Sequence, residues 1–149
     1  MALTNYDFYK NSFYGDTIPT DEFAKYEAMA EDRVHALSFD RLANGLPSAE
    51  RSAIKVQKAV CALADLLYQI NKEMQSQATV TDENGNTHKV VSSITSGSES
   101  ISYSTSANTE ISKAVADTVF KEKLIINTVT PYLANICDDK GVNLLYAGF

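Results

Sequence analysis

The side chains that could do chemistry are few and scattered. Cys61 and Cys137 could act as nucleophiles. His35 and His88 could act as bases or metal ligands, and Glu22, Glu27, Glu31 and Asp32 as acids. Neither histidine is read as having a second His, Cys or carboxylate at ligand spacing. Cys61 lies inside an apolar helical pattern and reads as a small core residue. Cys137 precedes Asp138 and Asp139, a negative setting that does not favour a thiolate. The segment Asp82 to Asn86 faintly resembles a calcium loop, but its glycine comes too early and Ser93 stands where a bidentate Glu is required. Gly97-Ser98-Glu99-Ser100 lacks the Lys and the following helix of a phosphate loop, and no Ser sits in a nucleophile elbow. The first-helix carboxylates fall mostly off the apolar face and read as a solvated surface. The expectation is therefore no catalytic residue, no metal and no cofactor.

The elements that carry these residues follow from pattern. The chain has 149 residues, 44% of them hydrophobic and 21% charged, the range of one soluble globular domain. Nineteen acidic residues against thirteen basic ones leave a net charge of −6, which disfavours a surface that grips nucleic-acid phosphates. No apolar run reaches the roughly 18 residues of a membrane span, and residues 1–10 do not read as a secretory signal. Two cysteines suggest no disulfide framework and a reducing compartment.

The N-terminal arm, residues 1–19, has no helical period. Tyr6, Phe8, Tyr9, Phe13 and Tyr14 are many aromatics for a free tail, so the arm is expected to dock on its own subunit or a neighbour. A first helix starts at Thr20, read as its cap, and shows Phe23, Tyr26, Ala30, Val34 and Leu37 on one face before Asn44-Gly45 and Pro47. A second runs from Ser48, also read as a cap, to Ala78, and carries Val56, Val60, Leu63, Leu67, Ile70 and Met74 as its stripe. Twenty-five residues of helix span roughly 37 Å. Residues 79–107 break the helical pattern. Asn84-Gly85 between β-prone runs predicts a hairpin turn, and ten of the fifteen residues from Ser92 to Ser106 are Ser or Thr. Ser100 to Ser104 alternates polar and apolar like a strand with one covered face. A third helix over residues 108–136 offers Ile111, Val115, Val119, Ile126, Val129 and Leu133 to the core, with a kink near Pro131. The tail, residues 137–149, is apolar to its end and should pack on something. The fold class is mainly α: one domain, with a three-helix core and a long protruding β-hairpin-like loop between the second and third helices. Extended polar segments and apolar chain ends suit docking on neighbours.

The order of these segments resembles a known family. Asp21-Glu22-Phe23, the run Ala36 to Leu42, the run Ile54 to Asp65, then "VSSITSGSESISY" from Val91 to Tyr103, Pro131-Tyr132-Leu133 and the closing Leu144-Leu145-Tyr146-Ala147-Gly148 are similar to the head–tail connector (adaptor, or head-completion) proteins of long-tailed bacteriophages and prophages. The likeness covers about residues 17–148. Ala147 stands where a basic residue often occurs in the family's closing motif. The resemblance implies a structural virion protein, made in the host cytoplasm and placed at the head–tail junction. It implies a homo-oligomeric ring, typically a dodecamer, beneath the portal protein. That ring would extend the DNA channel without reading DNA sequence and would dock the next neck or tail-completion protein, with no membrane involved. The expected interface residues are Ile94, Gly97, Ile101 and Tyr103 in the loop and Leu144, Leu145, Tyr146 and Phe149 in the tail. Alternatives are another neck or tail-completion protein, a helical adaptor outside phage biology, and a small cytosolic enzyme that pairs His35 with Cys61 or Cys137.

Overall fold

The computed structural model describes residues 2–76, 79–81, 87–89 and 109–146. They are mainly helical. Five helices, α1 Tyr6–Asn11, α2 Thr20–Leu37, α3 Glu50–Ser76, α4 Thr109–Ala116 and α5 Thr118–Leu133, stand beside two short strands, β1 Thr79–Thr81 and β2 Thr87–Lys89. The strands pair antiparallel with Thr79 opposite Lys89 and Thr81 opposite Thr87. The Asn84-Gly85 turn and the Ser/Thr-rich stretch lie outside the described residues, and no long β arm is among those described. The chain falls into two compact units, residues 1–68 with 125–149 and residues 69–124, with both boundaries inside helices.

The first unit holds most of the buried side chains. Val56, Ala59, Val60, Leu63 and Ala64 of α3 are fully buried, joined by Phe23, Tyr26, Ala30 and Val34 of α2. Their spacings of three and four place them on one stripe of each helix. An edge-on contact between Tyr26 and Tyr68, ring centres 5.2 Å apart, ties α2 to α3. Cys61 is buried within this stripe, as expected of a small core residue. In the second unit Ile70 and Ala114 are buried, and the Ser112 hydroxyl donates to Glu73 Oε1 at 3.0 Å, joining α4 to the end of α3. Met74, assigned to the stripe, is 48% exposed because it lies in the last turn of α3.

Several local expectations need correction. The arm does contain a helix. The Asn5 side chain accepts the Phe8 amide at 2.8 Å and caps α1, which is too short to show a hydrophobic period. Thr20 is the first helical residue of α2 and not its cap; Pro19 holds the cap position with no side-chain bond. The helix then stops at Leu37, well before Asn44-Gly45, in a Schellman turn. There the Asp40 amide bonds the His35 carbonyl at 2.9 Å and the Phe39 amide bonds the Ala36 carbonyl at 3.3 Å. Ser48 lies two residues before α3, and its amide and hydroxyl go to Asp139 instead.

The expected third helix is two helices. Asp117 interrupts it, and its carboxylate accepts the amides of Val119 and Phe120, capping α5. Beyond the break, α5 turns Ile125 inward with Val129 and Leu133 at spacings of four, so Ile125 is buried, while Val119 and Ile126, both expected in the core, are exposed. Val129 and Leu133 are buried as expected. Pro131 sits inside the last turn of α5 without ending it, and Asn135, in the left-handed region at φ 65°, follows the helix end.

Candidate functional site

Two polar constellations stand out in the first unit, one buried and one on the surface. The buried one holds the N-terminal arm. Tyr9 is completely buried, and its hydroxyl donates to Asp65 Oδ1 at 2.6 Å while accepting the amides of Thr17 and Ile18 at 3.0 Å each. Its ring packs on Phe23, with centres 4.9 Å apart, and on Phe13 at 5.9 Å. The space for that ring depends on Gly15, because a Cβ there would run into it. Burial, with the Asp65 carboxylate beside it, pushes the Tyr9 phenol up to about 12. Burial also raises Asp65, partly offset by the bond from Tyr9.

One turn further along α2, the Leu3 amide donates to Glu31 Oε2 at 3.0 Å, and the Thr4 amide bonds Glu27. Glu27 is buried at 7% exposure and shares a hydrogen bond with Glu31. Burial first, then the Glu31 carboxylate, pushes Glu27 up to about 8. Burial pushes Glu31 upward too, but bonds from Glu27, Leu3 and His35 outweigh it and hold Glu31 below the ordinary carboxylate range. The two shifts run in opposite directions, so Glu27 takes up a proton more readily than Glu31. Glu31 also lies 3.5 Å from His35 Nε2, so His35 does have a carboxylate within reach, one turn before it. Glu27 is thus not part of a solvated face. The signal was present: Glu27 sits four residues after Phe23 and three before Ala30, within the apolar stripe. A surface cleft of about 520 Å³ opens beside Glu31 and His35 and is lined by Leu3, Asp32 and Asp40 as well.

Burial pushes the Cys61 thiol up to about 12, the opposite of an activated nucleophile, and the Thr4 hydroxyl lies 3.9 Å from its sulfur. Cys137 is exposed. Among the described residues no three His, Cys, Asp or Glu side chains converge on a metal position, and no helix is long and apolar enough to cross a membrane.

The surface constellation sits where the α2 end meets the C-terminal tail. The tail folds back on itself: Asp138 accepts the amides of Lys140 and Val142 at 2.9 Å, Gly141 takes a left-handed φ of 81°, and Cys137 pairs antiparallel with Asn143. Leu144 is completely buried, so it holds the tail down and is not available to a partner. Arg41 Nη1 donates to the carbonyls of Asn143 and Leu144 at 3.0 and 3.1 Å, and Asp139 binds the amide and hydroxyl of Ser48 at 2.8 Å each. The Arg41 guanidinium lies 5.4 Å from the Phe39 ring centre and 5.9 Å from that of Tyr146. Both rings are about half exposed, Phe39 at 49% and Tyr146 at 54%. Phe39 occupies the left-handed position of the Schellman turn, φ 53°, which glycine usually fills.

Comparison with protein-family models, with curated proteins and with solved structures gives no match for this chain. Of the expected interface residues, Ile94, Gly97, Ile101, Tyr103 and Phe149 lie outside the described residues. Leu145 is half-buried, and Tyr146 is exposed beside Arg41. Phe39 and Arg41 are not legible as a surface pair in the sequence. No residue type marks a left-handed phenylalanine in a sequence, and the partners of Arg41 lie about a hundred residues away.

Proposed function

We propose that this chain is a structural subunit of a phage particle, a head–tail connector that forms a ring under the portal. The single observation that carries the reading is the bracket of Phe39, Arg41 and Tyr146. Two half-exposed aromatic rings flank an arginine on a tail that Leu144 and Arg41 fix in place. Aromatic residues and Arg are what protein interfaces concentrate at their centres. A rigid display of them loses little entropy on binding. Order and wording of segments from Asp21 to Gly148 support the family, and the net charge of −6 suits a channel wall along which DNA slides instead of sticking. In this reading residues 79–107 form a long β-hairpin-like loop that begins in β1 and β2 and contacts the portal or the next ring through Ile94, Gly97, Ile101 and Tyr103. Leu145, Tyr146 and Phe149 contact a neighbouring subunit. The work done is packing and hydrogen bonding, not catalysis.

The test is direct. The purified chain is mixed with portal rings from the same particle, and the product is imaged by electron microscopy. The reading expects an added ring on the portal, lost in Tyr146→Ala and in a deletion of residues 93–104 while circular dichroism stays helical. Portal rings that remain bare with the wild-type chain overturn it.

A further inference from the structure

The N-terminal arm behaves as a plug in a socket. It closes on itself: Asn5 caps α1, and the amides of Ser12 and Phe13 both return to the Phe8 carbonyl at 2.9 Å. It meets the rest of the chain through the Tyr9 hydroxyl on Asp65, the Leu3 amide on Glu31 and the rings of Tyr6 and Tyr9 on Phe23. Each of these contacts joins a residue before Phe13 to one after Asp16. An identical arm from a second copy could make every one of them without change.

The socket must be filled. Without the arm, Asp65 and Glu31 lose donors they accept in partly buried positions, and leaving such acceptors unmade is unfavourable. The segment that ties arm to body is short and strained. Tyr14 holds φ 61°, a left-handed conformation unusual for a bulky residue, and its side chain is 81% exposed, so packing of the ring gives nothing back. A backbone bond from the Gly15 amide to the Tyr9 carbonyl at 2.8 Å holds the bend. Straightening residues 13–16 breaks that bond and releases the strain at Tyr14. Short hinges under strain are the setting in which identical elements change places between copies.

We propose that two copies of this chain exchange their N-terminal arms, residues 2–12, so that Tyr9 of one fills the Asp65 socket of the other. The exchange does not depend on the virion reading: Tyr14 governs it, whereas Tyr146 and the 93–104 loop govern portal attachment.

The test uses the full chain carrying Cys137→Ser, so that Cys61 is the one remaining thiol. Thr4→Cys then sets a second thiol against Cys61, since the Thr4 hydroxyl lies 3.9 Å from that sulfur. The protein is refolded at low and high concentration, oxidised and run on a non-reducing gel. Exchange gives a covalent dimer whose share rises with concentration, and adding Tyr14→Gly lowers that share roughly tenfold by making the closed bend easy. A linkage that stays within one chain at every concentration overturns the proposal, and so does a dimer indifferent to Tyr14→Gly. Should no disulfide form, sedimentation of the Cys137→Ser protein decides: a dimer that Tyr14→Gly removes supports exchange, and a monomer at all concentrations refutes it.

Discussion

The N-terminal arm and the C-terminal tail start from similar material and are held in opposite ways. Both are short, both carry aromatic side chains, and both are anchored by charged groups of the body. In the arm the anchors are carboxylates, and they draw the aromatic ring inward: Tyr9 has no exposed surface, and its hydroxyl makes three hydrogen bonds. In the tail the anchor is a guanidinium, and it bonds backbone carbonyls, leaving the rings outside: Tyr146 and Phe39 are about half exposed. The difference follows from what each anchor can accept or give. A carboxylate needs donors and takes the phenol at Asp65 and a main-chain amide at Glu31; Arg41 needs acceptors and takes main-chain carbonyls, while its flat faces remain beside the rings. The arm therefore gives its aromatic ring to the buried interior, and the tail displays its rings on the surface.

This contrast makes graded predictions. Tyr9→Ala should be the most damaging, a loss of about 3–5 kcal/mol in urea unfolding, because it empties a buried aromatic site and strands Asp65. Tyr9→Phe isolates the polar part, about 1–3 kcal/mol. If Tyr9→Ala lost less than about 1 kcal/mol, the arm would not be structural at all. On the tail side, Arg41→Ala should lose about 1.5–3 kcal/mol, the worth of hydrogen bonds to a charged donor, and should also abolish ring attachment by releasing Tyr146. A variant that keeps attachment would remove the tail from the interface.

Much of the arrangement is legible in the sequence, and the reasons differ by element. The α3 stripe was plain because six apolar positions repeat at helical spacing, and all but Met74 are buried. The start of α2 was marked by Pro19 and by Asp21 and Glu22. Asp117 is hard to read as a break because an apolar period flanks it on both sides, and Ile125 and Ile126 differ only in which of two adjacent isoleucines repeats at a spacing of four with Val129 and Leu133. Leu144 reads as an interface residue in the sequence because an apolar terminus looks the same whether it packs on its own subunit or on a neighbour, and here it is buried in its own. Tyr146 carried a signal, being aromatic and terminal. Phe39 carried none, because its exposure follows from a left-handed backbone that the residue type argues against.

The carboxyl pair beneath the arm gives a prediction in pH. Glu27 titrates near 8 in the folded chain, above its value of 4.5 when unfolded. Between those values the folded state holds a proton that the unfolded state has lost, so this group's contribution to stability falls as pH rises from about 4.5 to about 8 and then levels off. Glu31, held below the ordinary range, acts in the opposite sense at the acid end, where its contribution is lost as pH falls. Glu27→Gln keeps the neutral shape and removes the first effect. Thermal melts should show the variant a few °C above wild type at pH 9, with the gap closing toward pH 4. An equal gap at both pH values would mean that Glu27 is ionised throughout.

The smallest effect separates the two ends most cleanly. Phe39→Gly should make the protein more stable, by about 0.5–1 kcal/mol, since glycine relieves the left-handed strain and the Phe39 ring, half in water, gives little in return. The same change removes one side of the bracket around Arg41, so attachment to the portal ring should weaken. A gain in stability paired with a loss of binding is what a residue kept for a partner predicts. On the arm the matching experiment runs the other way: Gly15→Ala drives a Cβ into the Tyr9 ring and should lower stability. If Phe39→Gly lowered stability instead, the ring would be part of the chain's own packing, and the division between a structural arm and a displayed tail would fail at the tail.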